Sequence, residues 1–383
     1  MRELVSFGHT GVVITSDSNH LAKVPVLKSK LLLECRDGVL MVWLRTMKTR
    51  EAKSLRRILG WLHFEWRLLW MPTRTLPKPD VVIVSSLSLL TVANGILLKW
   101  RLKASLVFEV RDIWPLTLVE EGGFNRNNPL IVALGLIERL GYRHADAIVG
   151  TMPNLEEHVA NVVGRGKPTS CVPMGFAPRA IAINEPLPAD YVESYLRRDG
   201  FVIGYAGTIG ITNALDPFFE AAELMRDDYA TQFLVVGDGG LLAGYKSRFS
   251  HLPNLTFAPK VPKETVQSVL AACDLLYLST HESRVWEYGQ SLNKLIDYML
   301  SGKPVVASYS GYPSMINEAG CGTYVPAGDV QALVQEFRRY ASMTPAERSE
   351  IGQRGRAWIL ENRSYERLAQ DYLSILRACQ PPI

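Results

Sequence analysis

The stretch from Glu287 to Ser308 gathers Tyr288, Ser291, Asn293, Lys294 and Asp297 ahead of an apolar turn. Gly302-Lys303-Pro304 and the run Val305-Val306-Ala307-Ser308 follow. This pattern predicts a helix N-terminus, a helix, a tight turn and a buried parallel strand. Ser291 is read as the N-cap, and Lys294 and Asp297, three apart, share one helix face. A helix N-terminus that carries a lysine attracts an anion such as phosphate. An acid one turn further on can accept hydrogen bonds from sugar hydroxyls. Phosphate together with ribose is a nucleotide. The competing reading is a solvated charge pair on an ordinary α/β helix, and spacing alone leaves both open.

Three more clusters stand where strands should end. Gly207-Thr208-Ile209-Gly210 follows the apolar run Phe201–Ala206. A glycine turn between strand and helix lets backbone N–H groups approach a phosphate closely. Val235-Val236-Gly237-Asp238-Gly239-Gly240 places Asp238 in a second such turn, which a plain Asp-Gly turn explains equally well. Phe108-Glu109-Val110-Arg111-Asp112-Ile113-Trp114-Pro115 closes the apolar run SLVFEV with charges, and Glu109 and Arg111 share one strand face. One reading is a buried Arg–carboxylate pair that anchors the loop. The other sets Asp112 at a reacting hydroxyl or sugar, with Arg111 against a diphosphate or positioning Asp112. His and acidic residues form no metal-ligand cluster. The five cysteines lack CxxC spacing, which argues against a disulfide framework and fits a reducing compartment.

The elements that must position these clusters alternate. Strand-like runs fall at Val12–Ser16, Val39–Leu44, Val81–Ser85, Ser105–Val110 and Ala147–Gly150. A second set falls at Phe201–Ala206, Gln232–Val236, Leu255–Ala258, Leu275–Leu278, Pro304–Ser308 and Gly322–Val325. Helical patterns lie between them. An α/β fold of two doubly wound Rossmann-like domains facing a cleft is expected, with ligands at the carboxyl ends of the strands. A chain of 383 residues, 47% hydrophobic, can bury two cores. The expected bounds are 1–180 for the first domain and 181–360 for the second. Residues 361–383 carry a terminal amphipathic helix with Leu368, Tyr372, Leu373 and Leu376 on one side. The proline-bearing stretch Gly175–Arg198 reads as a linker.

The Asp297 block resembles the donor-site motif of family 4 glycosyltransferases, retaining enzymes with the GT-B fold. In that family an acidic residue before M-x-x-G-x-P-V-V holds the nucleotide ribose, and Asp297 stands in its place. The glycine turns at Gly207–Gly210 and Asp238, and the stretch around Lys260, resemble loops that line the donor cleft and read the base. The chain also departs from the pattern. Thr208 and Asn213 replace an Arg and a Lys that bind phosphate, and Lys294 is a candidate substitute. Gly289 falls where the family has the first Glu of a pair, and Glu287 is a candidate to reach the same place. Ser291-x-x-Lys294 and Glu109-x-Arg111-Asp112-x-Trp114-Pro115 resemble a subgroup similar to the N-acetyl-L-fucosamine transferases of O-antigen assembly. The resemblance implies an acceptor-side first domain and a donor second domain, with a donor set of Gly207, Thr208, Gly210, Asp238, Lys260, Glu287, Ser291, Asn293, Lys294 and Asp297. It implies a catalytic set of Glu109, Arg111 and Asp112. No metal or cofactor is expected, because Lys294 and helix N-termini would neutralise the leaving diphosphate. In GT-B proteins the terminal helix crosses back to the first domain. The resemblance runs from about residue 3 to 375, and its start matches the end of the first helix and the second strand of related sequences. The first domain is therefore expected to lack its first strand, and a longer form is expected to be the more active.

Charge is uneven. Residues 1–180 hold 24 Lys/Arg against 15 Asp/Glu, and the remainder holds 18 against 23. The basic excess peaks between Trp43 and Arg74, where Arg56 and Arg57 mix with Trp61 and Trp66. With Trp114, these residues suggest an acceptor-side surface that meets an anionic membrane. The alternative is that the tryptophans pack in the core while the arginines are solvated. No run of eighteen apolar residues exists and no signal-peptide layout opens the chain. Nucleic-acid-binding patterns are absent. The expectation is a cytoplasmic enzyme at the inner membrane face. It would move a sugar, with retention, from a nucleotide-diphosphate-sugar to a lipid-linked saccharide in surface polysaccharide or O-antigen synthesis. A nucleotide-sugar epimerase of the same fold and a truncated, non-catalytic partner subunit are the alternatives.

Overall fold

A computed structural model describes residues 1–18, 24–48, 55–86, 88–178, 185–196 and 200–379, except the side chains of 55–58. The chain divides into two compact units. Unit 1 holds Met1–Thr151, Leu155–Val172 and the segment from Leu368 onward. Unit 2 holds Met152–Asn154 and Pro173–Arg367.

Unit 1 carries two sheets. In the first, β1 (Val12–Ser16) runs parallel to β3 (Val39–Leu44), and β2 (Leu31–Arg36) joins the far side of β3 antiparallel. Alternation alone suggested only parallel strands in this half, so β2 is a correction. Its cause is local. Arg36 pairs with Val39 across the two-residue turn Asp37-Gly38. Both turn residues have positive φ, 51° and 78°, the geometry of a tight hairpin. The second sheet is wholly parallel, in the order β4 (Val81–Ser85), β5 (Ser105–Val110), β6 (Ala147–Gly150) and β7 (Thr169–Cys171). Among the described residues, β1 bonds only to β3 and β4 only to β5. The first half thus carries two separate sheets where one doubly wound sheet was expected.

Unit 2 is one six-stranded parallel sheet. Its strands are β8 (Phe201–Thr208), β9 (Thr231–Asp238), β10 (Leu255–Ala258), β11 (Leu275–Ser279), β12 (Val305–Ser308) and β13 (Gly322–Val325). They lie in the order β10-β9-β8-β11-β12-β13. Helices cover both faces, so the strands read as continuous apolar runs. Alternate residues feed two cores. Ile203, Tyr205 and Val235 pack with Phe218, Phe219 and Phe337. Val202, Leu234 and Val236 pack with Leu295, Tyr298 and Met299 of the Asn293–Leu300 helix. This helix occupies the predicted place, and its burial on the second core fixes which of its side chains meet the sheet.

Candidate functional site

In unit 2 the carboxyl ends of β8 and β9 lie side by side, with Gly207 opposite Gly237 and Thr208 opposite Asp238. The approach is very close. A Cβ built on Gly237 would lie 1.9 Å from the Gly207 carbonyl oxygen, so only glycine fits. Ile209 N donates to Asp238 O at 2.9 Å, which closes the two turns on each other.

Lys294 reaches this point from the helix behind. Its Nζ donates to Tyr205 Oη at 2.7 Å and to Asn213 Oδ1 at 2.8 Å. It also rides 4.0 Å from the centre of the Tyr205 ring. Both hydrogen-bond partners are neutral, and among the described residues no carboxylate stands within ion-pair reach. Burial without an opposing charge lowers the lysine pKa to about 7. Asn213 is held in turn, because Ser279 Oγ donates to its carbonyl oxygen at 2.7 Å. The amide oxygen of residue 213 and the amine of residue 294 therefore meet at one spot.

The other sequence-derived donor residues are distributed as follows. Asp297, 22% exposed, is paired with Lys263 Nζ, and Gln267 Nε2 donates to its carbonyl oxygen. Asp238 pairs with Lys260 at 3.1 Å, both exposed, and this ion pair with the Gly239 N–H lowers the Asp238 pKa. Thr208 and Asn293 are exposed. The N-cap assignment of Ser291 is corrected. The helix opens at Asn293, Leu292 stands at the N-cap without a side-chain cap, and Ser291 Oγ instead accepts from Met174 N at 2.8 Å. The serine ties the segment leading into unit 2 to the site helix. Glu287 sits in a 3-10 turn and pairs loosely with Arg284 at 3.8 Å. Gly289 has φ 96°, and a Cβ there would meet Pro153 at 2.5 Å. A glutamate at that position is excluded by both backbone and space.

In unit 1, Glu109 and Arg111 approach at 3.8 Å, and Tyr372 Oη donates to Glu109 at 3.2 Å. Asp112 lies at the end of the same turn. Desolvation by surrounding atoms raises its pKa, against the pull of Arg111. The turn is set by Ser86, a buried residue that nothing in its local sequence singles out. Its Oγ accepts from Arg111 N at 2.9 Å, and its backbone N donates to Glu109 O at 2.9 Å. Trp114 meets Trp61 edge-on, centroids 6.3 Å apart. Trp66 is 57% exposed. The side chains of Arg56 and Arg57 lie outside the described residues.

Two family models cover most of the chain. One, described as a glycosyl transferase 4-like domain, matches residues 1–175, and one described as glycosyl transferases group 1 matches residues 200–342. The chain is a family 4 glycosyltransferase of the GT-B fold. Solved structures agree in fold. A sucrose-phosphate synthase from Thermosynechococcus elongatus superposes with a TM-score of 0.72 at 16% identity, covering 98% of this chain and 90% of that one. A trehalose-6-phosphate protein from E. coli, bound with UDP-2-fluoro glucose, gives 0.71 at 12%, covering 100% and 95%. Anabaena HepE in complex with UDP-glucose gives 0.61 at 16%, covering 89% and 87%. No curated protein matches in sequence. The residues that sequence reasoning missed here are Tyr205, Tyr298, Lys263 and Ser86. Each is an ordinary core or surface residue in one dimension and acquires a partner only in three.

Proposed function

We propose that this glycosyltransferase takes its sugar from a nucleoside-diphosphate sugar bound at the carboxyl end of the unit 2 sheet. The observation that carries this reading is Lys294, a part-buried amine held by neutral partners beside the Gly207 turn. A buried cation without an anion is costly, and a phosphate is the natural anion to complete it. Turn N–H groups and the N-terminus of the Asn293–Leu300 helix add positive potential. In this reading Lys294 stabilises the diphosphate as it leaves, and no metal is required. Asp297 takes a ribose hydroxyl once Lys263 yields it. Transfer proceeds with retention, as the family implies.

On the acceptor side the reading is a lipid-linked saccharide in surface polysaccharide synthesis. Its support is the Leu55–Leu69 helix with the residue after it. Leu59, Leu62, Trp66, Leu69 and Trp70 all stand exposed there, at spacings of three and four. The opposite face packs Phe64 and Leu68 into the core, and the flank is tied down by Glu65, which accepts from Thr91 Oγ1 at 2.5 Å and Asn94 Nδ2 at 2.7 Å. An exposed Trp/Leu stripe on a basic segment suits the interfacial region of an anionic bilayer. Among the described residues no helix is long and apolar enough to cross a membrane.

The test is release of free nucleoside diphosphate from UDP-glucose and related donors, with lipid-extracted oligosaccharide as acceptor. Turnover that is lost in Lys294→Ala supports the assignment. A Lys294→Ala enzyme as fast as wild type overturns it.

A further inference from the structure

Every second residue of β8 turns its N–H and C=O toward β11. Val202 is served by Asp274, whose carboxylate accepts from Val202 N at 2.9 Å and whose own N donates to Val202 O at 2.8 Å. Gly204 is served by β11, which pairs with β8 only at Ile203 and Gly204. The next residue in this series, Ala206, pairs with Val236 of β9 but, among the described residues, has no ladder partner on the β11 side. Unpaired buried amide and carbonyl groups would cost the strand its end. One side chain takes both. Tyr298 Oη accepts from Ala206 N at 3.0 Å and donates to Ala206 O at 3.3 Å. Its ring is 1% exposed in the second core of unit 2.

Tyr298 lies one helical turn after Lys294, on the same face. Lys294 holds Tyr205 Oη, and Tyr205 Oη donates to Thr208 O at 2.6 Å. Residues 205, 206 and 208 are thus bonded, directly or through one hydroxyl, to one face of one helix. We propose that Tyr298 is a positioning residue: its hydroxyl replaces the β11 partner that Ala206 lacks and fixes the Gly207–Gly210 turn against the Asn293–Leu300 helix, in register for a diphosphate. The consequence for donor affinity rests on the donor-site reading above. The clamp itself does not. Burial raises the phenol pKa well above its ordinary value, so the hydroxyl keeps its proton and donates across the working range.

The test is Tyr298→Phe, which removes one oxygen and keeps the ring. Amide hydrogen exchange in the segment 205–210 should accelerate at least tenfold, while exchange at Val305–Ser308 stays as in wild type. The KM for the nucleotide sugar should rise about tenfold with kcat changed less than threefold, a split that general loosening of the core does not give. Tyr205→Phe, which cuts the second tether, should speed exchange at 208–210. Unchanged exchange in Tyr298→Phe overturns the clamp. Faster exchange with an unchanged KM overturns its link to donor recognition. A wild-type protein that binds no nucleotide sugar overturns the donor-site reading instead, with the exchange comparison still deciding the clamp.

Discussion

At the scale of single residues the site is governed by one unusual group. The Lys294 amine titrates near 10.4 in an unfolded chain and at about 7 in the folded protein. Between those values the unfolded chain holds a proton that the folded one has lost. Stability therefore rises with pH across this window and is lowest below pH 7, where the buried amine is charged. Lys294→Met should stabilise the protein most at pH 6 and by little at pH 10, as read by chemical denaturation at each pH. An equal effect at both would mean that the lysine titrates normally. A bound diphosphate should raise the amine pKa again. UDP-glucose should then bind with proton uptake at pH 8, detectable by calorimetry in buffers of different ionisation heat, and more weakly as pH climbs. Asp297 offers a second test. Asp297→Asn should weaken nucleotide binding by roughly 1.5 kcal/mol, about tenfold, through loss of a charge-assisted bond. Unaltered affinity would remove Asp297 from the ribose.

Elements decide how these residues meet. The β8 and β9 ends touch because two glycines oppose each other, and Gly237 has a carbonyl where its side chain would be. Gly237→Ala should cost about 1–3 kcal/mol in denaturation experiments, the usual result of overpacking against backbone that cannot yield. A neutral effect would mean that the two strand ends separate easily. In unit 1 the Leu55–Leu69 helix half-buries Glu65 and exposes Trp66, with exposed Trp70 just after it. Trp66→Ala combined with Trp70→Ala should abolish sedimentation with anionic vesicles at low salt, and wild-type binding should fall as salt rises. Persistent sedimentation of the double variant would assign membrane contact elsewhere.

Over the whole molecule, the chain closes unit 1 with its last segment. The Tyr365–Ala378 helix lays Leu373 and Ala369 against Leu4 of the first helix, and Tyr372 reaches Glu109. Terminal residues that support the Glu109–Asp112 turn are distant from it by more than 250 positions in sequence. Leu373→Ala should destabilise by roughly 2 kcal/mol or more. It should lower the melting transition of unit 1 while that of unit 2, carried by its own sheet and two cores, stays in place. A shift of both transitions together would mean that the two units melt as one.

The positions and parallel type of most strands, and the glycine turns after β8 and β9, were determined by sequence alone. Apolar runs of four to eight residues bounded by glycine can satisfy their backbone only in a sheet covered on both faces. The helix that carries Lys294 and Asp297 was also visible, since a polar start, an apolar stripe and a closing glycine carry their signal locally. The antiparallel β2 announced itself only through Asp37-Gly38, a signal shorter than any periodicity. What the tertiary structure decided was partnership. The tie from Ser291 to Met174, the pairing of Asp297 with Lys263, the grip of Tyr298 on Ala206 and the place of Ser86 under Arg111 all join residues far apart in the chain. Hydrogen bonds between such residues leave no trace in spacing or composition, because each side chain taken alone is an ordinary serine, lysine or tyrosine.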